Sequence, residues 1–131
     1  MRALVVLGLV LCACGPSMQG GGSGDIRLAA AATAAGDSIE LTLTNRSAQE
    51  IGYNLCTTAI ERRVGDDWQP VRTDRVCTME LRTLQPGAEA TYRTTFPPGT
   101  TAGDYRFHTT VHLLSAEERR DVRSNVVRVA A

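Results

Sequence analysis

The sequence predicts an all-β fold of about seven antiparallel strands, arranged as a sandwich or barrel. Three observations carry this reading: apolar and polar residues alternate from Asp25 onward, no stretch shows a helical period, and turn residues recur between short runs of β-branched and aromatic types. With 131 residues, 43% of them hydrophobic, the chain has room for one domain. All 14 basic residues are arginine, spread among 14 acids, so no basic face for nucleic acid is expected.

The chain opens on Met1-Arg2, a single side-chain positive charge, followed by an apolar run from Ala3 that closes on Leu11-Cys12-Ala13-Cys14. A charged start, an apolar middle and a small residue before the cut are the layout of a secretory signal, here residues 1-13. The run is about half of the ~20 residues that a membrane-crossing helix needs, so a permanent span is not expected. Its end resembles a bacterial lipobox, with Leu11 three before Cys14, Ala13 just before it and Gly15 just after. Cys12 fits poorly as the modified residue because bulky Leu11 precedes it. The resemblance implies a diacylglyceryl thioether on Cys14 and a protein held to a membrane by its first residue, since several acyl chains give stable anchoring where one is marginal. It implies the bacterial cell envelope, and Gly15 in place of an aspartate favours an outer membrane facing the periplasm if the source has two membranes. The alternative is an ordinary signal cut nearby, leaving a free thiol. Residues 14-24 then read as the lipidated cysteine and a flexible tether: Gly20-Gly21-Gly22-Ser23-Gly24 is too poor in apolar surface to order itself, and ten such residues reach about 15 to 20 Å. No strand precedes this glycine run and no Lys-Ser/Thr follows, which argues against a phosphate loop.

Strands are expected near 26-32, 38-45, 51-63, 68-72, 88-96, 103-114 and 120-130, with a short edge piece near 76-82. The first runs into Ala29 to Ala35, where alanine favours helix and marks no face, and Gly36-Asp37 ends it. In the second, Ile39, Leu41 and Leu43 share one face while Glu40, Thr42 and Thr44 share the other. In 103-114 the residues Tyr105, Phe107, Thr109, Val111 and Leu113 claim the core face, with His108 and His112 outward. Turns are marked by Asn45-Arg46-Ser47, Gly65-Asp66-Asp67, Gln85-Pro86-Gly87, Pro97-Pro98-Gly99 and Ser115-Ala116-Glu117-Glu118. Two packed sheets would bury alternate residues of each strand, with Trp68 expected as the largest single contributor.

Taken in order, Leu41-Thr42-Leu43-Thr44-Asn45-Arg46-Ser47, a glycine turn before Trp68, Leu84-Gln85-Pro86-Gly87-Ala88-Glu89, Gly103-Asp104-Tyr105-Arg106-Phe107 and Ser124-Asn125-Val126-Val127 resemble the landmarks of bacterial Ig-like domains on envelope proteins. The resemblance covers roughly residues 37 to 129 and implies an immunoglobulin-like antiparallel β-sandwich, with the domain expected over residues 25-131. A tyrosine at the start of a late strand can bond its hydroxyl to upstream backbone at the sheet corner. Tyr105 is the candidate here, and a plain core or rim tyrosine is the alternative. Phe107 stands two residues later, where an antibody domain would carry its second cysteine.

Cys56 and Cys77 remain as a pair once Cys12 is removed and Cys14 is lipidated, and export makes a disulfide the default. Closing a loop of about 22 residues would stabilise the fold by about 3 kcal/mol. Free thiols or a redox switch are the alternative. A metal would need two further ligands, and neither histidine is near in sequence. His108 and His112 have a spacing that would pair them on a helix, but on a strand they lie about 13 Å apart, too far for one ion. No Gly-x-Ser-x-Gly elbow, His-Glu-x-x-His pair or phosphate loop occurs. The expectation is therefore no catalytic residue, no cofactor and no metal. The leading function is a membrane-anchored lipoprotein whose Ig-like domain is a non-catalytic binding or structural module, contacting an envelope protein or surface polymer through loops or a sheet edge. The alternative is a small protease inhibitor or ligand-sequestering protein on the same fold, with Pro97-Pro98-Gly99-Thr100-Thr101 as its exposed loop.

Overall fold

The computed structural model describes residues 22–23, 25–33 and 38–130. The signal, Cys14 and the Gly36-Asp37 turn lie outside the described residues. Among the described residues eleven strand segments follow one another: β1 (Gly22–Ser23), β2 (Ile26–Ala32), β3 (Ser38–Asn45), β4 (Ile51–Tyr53), β5 (Ala59–Val64), β6 (Asp67–Val71), β7 (Arg82–Leu84), β8 (Glu89–Thr95), β9 (Gly103–Leu113), β10 (Glu118–Arg123) and β11 (Val127–Val129), with one 3-10 turn at Leu55–Thr57. They form two antiparallel sheets, the first ordered β1-β2-β3-β8. In the second, β9 is central. One of its edges takes β5 at Tyr105–His108 and β4 at His112–Leu113, while the other takes β11 at Gly103–Tyr105 and β10 at His108–Leu113. β6 pairs with the outer side of β5, and β7 with that of β4.

The alternation read from the sequence becomes the core. Ile39, Leu41 and Leu43 of β3 are buried, as are Ile26 and Leu28 of β2, and they pack with Ile51, Ile60, Tyr105, Phe107, Val111, Leu113 and Val122 of the second sheet. Phe96 covers one end, with its ring 5.1 Å from that of Tyr105 and 5.7 Å from that of Phe107. Ala29 to Ala32 are strand despite the helical propensity of alanine, because pairing with β3 at each of them outweighs a preference of a few tenths of a kcal/mol per residue; Ala34 and Ala35 lie outside the described residues. Gly22–Ser23, read as tether, pairs with Ile26 and Arg27 instead.

Three expectations are corrected. The continuous strand over 51-63 is broken at Asn54, whose side chain accepts from the Cys56 amide and caps the 3-10 turn. The inward residues shift phase there, from Ile51 and Leu55 to Thr58 and Ile60, which a regular strand cannot do. The strand over 120-130 is broken the same way at Ser124-Asn125-Val126. Ser124 donates its amide to the Phe107 carbonyl (2.7 Å) and accepts the Phe107 amide on Oγ (2.9 Å). The Asn125 side chain then crosses to the other sheet, accepting from the Ala30 amide (2.9 Å) and donating to its carbonyl (3.0 Å). Finally, Trp68 is not in the core. Its pairing with Arg63 on edge strand β6 turns it to the outer face, where the guanidinium carbons of Arg106 and Arg63 lie 4.4 and 4.9 Å from the ring centroid.

Asn45, read as a turn residue, is fully buried. Its amide donates to the carbonyls of Gln49 (2.8 Å) and Leu84 (3.0 Å), and its Oδ1 accepts from the amide and hydroxyl of Ser47. Asn45→Ala should therefore cost about 2 to 4 kcal/mol by leaving several of these groups unpaired. Phe107→Ala should cost about 3 to 5 kcal/mol, whereas His108→Ala, on the outer face beside Glu61, should cost about 1 kcal/mol or less. Urea unfolding of the three variants checks this, and near-equal losses for Phe107 and His108 would contradict the packing.

Candidate functional site

Between the end of β6 at Val71 and the start of β7 at Arg82 the chain makes no ladder, yet it is tied down at several points. Cys77 is bonded to Cys56, with Cα atoms 5.8 Å apart. Asn54, at the entry to the 3-10 turn, donates its side-chain amide to the Thr78 carbonyl at 2.7 Å. Arg75 reaches back to the Cys56 carbonyl (3.0 Å) and across to Thr94 Oγ1 of β8 (2.6 Å). After the segment, β7 pairs with β4 in register Tyr53–Arg82, Gly52–Thr83 and Ile51–Leu84. Gly52 leaves room for Leu81: a Cβ at position 52 would stand 2.7 Å from Leu81 Cδ2.

On this tied segment two large apolar side chains face water, Val76 at 94% and Met79 at 92% exposure. The stretch 78–81 forms a ridge between two shallow clefts. One, of about 270 Å³, runs along Tyr53, Asn54, Thr78 and Tyr92. The other, of about 390 Å³, runs along Thr57, Met79, Leu81 and His112. Isolated exposed apolar residues are ordinary on protein surfaces. Here a disulfide and four side-chain or ladder contacts tie down the chain on either side of them.

The remaining sequence-predicted residues are placed elsewhere. The Tyr105 hydroxyl donates to the Thr101 carbonyl at 2.6 Å, closing the corner before β9, and Phe107 lies beneath it in the core. His108 and Trp68 belong to a charged outer face on the second sheet. There the Glu61 carboxylate, 15% exposed, is ringed by Arg106 at 3.2 Å, His108 at 3.4 Å and Arg123 at 3.9 Å. That arrangement is one acid compensated by its neighbours, with no second carboxylate or nucleophile among them. Among the described residues no group of three or more His, Cys, Asp or Glu is placed to hold a metal. Pro97-Pro98-Gly99-Thr100-Thr101 is a tight connection: Thr100 bonds the Pro97 carbonyl through its amide (3.2 Å) and its hydroxyl (2.6 Å), and Gly99 takes a left-handed φ of 79°. The long, exposed and tethered segment is 72–81 instead. The edge strand expected near 76-82 forms only at Arg82–Leu84, and the segment's one correct sequence signal was Cys77, because the residues that hold it, Asn54, Cys56 and Arg75, declare nothing of the kind by spacing.

Replacing Cys56 and Cys77 together by serine should lower stability by about 3 kcal/mol, keep the far-ultraviolet β signature and raise amide exchange across 72–81. Urea unfolding and hydrogen exchange measure the two effects. Intact mass after alkylation should find neither residue alkylated in the unreduced parent.

The family model for a bacterial Ig-like domain matches residues 26–125. Among solved structures, a structural-genomics target designated SoR45 superposes with a TM-score of 0.56 at 16% identity, covering 82% of this chain and 87% of its own. A Bordetella pertussis protein solved under the name ApaA superposes with a TM-score of 0.52 at 13% identity, over 88% of this chain and 97% of its own. At these identities the likeness is one of fold. No curated protein matches the sequence.

Proposed function

The chain belongs to the bacterial Ig-like domain family, and on that premise we propose that it is a lipid-anchored protein of the bacterial cell envelope whose sandwich is a non-catalytic binding module. The observation that carries the binding role is the exposure of Val76 and Met79 on a segment fixed by the Cys56–Cys77 disulfide. Rigid presentation of apolar side chains lowers the ordering cost of association, which is what distinguishes a contact surface from a mobile loop. The partner is an envelope protein or a surface polymer, met through this segment and not through the charged outer face, where the carboxylates Glu61 and Asp104 are already engaged by arginines of the same chain. Anchoring rests on Cys14 behind small Ala13, and the residues between it and β1 give the domain reach from the membrane.

Cys14→Ser should abolish acylation and move the protein to the soluble envelope fraction, whereas Cys12→Ser should leave it in the membrane. Acyl label remaining on the Cys14 variant would refute the lipid anchor. A photo-crosslinking residue at position 79 should trap a specific envelope component in intact cells, and the same residue at position 93, on the other sheet, should not. Equal trapping from both positions would remove the ridge from the binding reading.

A further inference from the structure

We infer that the ridge is a substrate-like loop that occupies and blocks the active-site cleft of a serine endoprotease preferring an unbranched apolar residue, with Met79–Glu80 as the reactive bond. This rests on the binding reading above and names the class of partner. A segment free of any ladder, with Thr78 lining one cleft, Met79 and Leu81 lining the other and the Met79 side chain almost wholly in water, presents what a protease takes in, a chain outside a sheet with a side chain free to enter a pocket. Met79 suits that pocket because it is long, flexible and apolar.

What separates an inhibitor from a substrate is what happens after attack, and the flanks of Met79–Glu80 address that step. On the amino side, Thr78 is held through its carbonyl by Asn54, and Cys77 is bonded to Cys56. On the carboxyl side, Leu81 lies against Gly52, and Arg82–Leu84 are laddered to Ile51–Tyr53. All of these partners fall within the single stretch Ile51–Cys56 of the same domain. The enzyme's serine oxygen adds to the Met79 carbonyl carbon. The bond to the Glu80 nitrogen breaks, and that nitrogen leaves as an amine carrying the proton the serine lost. In an ordinary substrate the amine diffuses away and water completes hydrolysis. Here both new ends stay fixed to one rigid stretch, so the amine remains beside the acyl ester and the peptide bond re-forms, returning the serine its proton. A tethered amine of this kind competes with water at a high effective concentration, and the preformed loop loses little entropy on binding.

The full chain in detergent micelles is tested against chymotrypsin, subtilisin and trypsin with small chromogenic substrates. The expected result is stoichiometric inhibition of chymotrypsin or subtilisin with a Kd of about 1 μM or tighter, and slow conversion to a mixture of intact chain and chain cut only at Met79–Glu80. Met79→Arg, a change at a fully exposed position that spares folding, should weaken that inhibition about 30-fold or more and confer inhibition of trypsin. Asn54→Asp keeps the oxygen that caps Cys56 but loses the donor to Thr78, and should weaken inhibition about tenfold while hastening cleavage. Absence of inhibition across the three enzymes, inhibition unchanged by Met79→Arg, or rapid cleavage of the parent at Met79–Glu80 would each overturn the inference. The two readings fail separately. If the position-79 crosslink traps a component that is not a protease while no enzyme is inhibited, the binding module stands and the inhibitor falls. If neither is seen, both fall.

Discussion

Strand β9 accepts two partner strands along each of its edges, and that double pairing is the constraint from which the rest of the molecule follows. A strand hydrogen-bonded on both sides must keep strict alternation, since any slip would turn Tyr105, Phe107, Val111 and Leu113 into water. Each neighbour has to conform to it. β4 and β5 share one edge and therefore cannot be one straight strand if the chain between them is also to turn out toward the disulfide. β10 and β11 share the other edge and break where Ser124 substitutes its hydroxyl for a ladder group. The corner at Tyr105 and the aromatic cluster with Phe96 then fix where β9 begins.

The period-two pattern made the faces of β3 and β9 readable from the sequence, because alternation is a local property and each residue reports its own side. The interruptions are not local. Asn54 caps the 3-10 turn through the nearby Cys56 amide but is also tied to Thr78, 24 positions away, and Asn125 is bonded to Ala30, 95 positions away; nothing in the flanking composition marks either as more than a polar residue in a β-rich run. A trace did exist: the apolar positions change parity between Leu55 and Ile60 and again between Val122 and Val127, which a bulge or break must absorb. Trp68 was misleading for the opposite reason. Large aromatic area argues for burial, but parity relative to Val71 places it outward, and stacked guanidinium groups shield the indole there in place of a core.

The site was legible only in its covalent part. Cys56 and Cys77 could be paired by elimination, but the stretch 72–81 offers no periodicity, and its stiffness is conferred from outside by Asn54, Arg75 and the β4–β7 ladder. Proline and glycine drew attention to residues 97–101, where they produce a tight connection. Rigidity without regular structure is a property of cross-chain contacts, and a single sequence shows it poorly. The fold places these contacts so that the short stretch from Ile51 to Cys56 serves both the core, through Ile51 and Leu55, and the ridge above it. Loosening that stretch would be felt on both sides at once.

Asn125 has a further consequence for how copies of the protein meet. The amide and carbonyl of Ala30 point away from β3, and such groups on the border of a sheet are templates on which a strand from another molecule can add. The carboxamide of Asn125 occupies both, acting as a strand one residue long, while Gly22–Ser23 cover the same border at Ile26 and Arg27. Lateral growth of the first sheet along β2 is thus obstructed at Ala30 and at Ile26–Arg27. A chain packed densely on a surface can crowd against its neighbours there without recruiting them into a shared sheet.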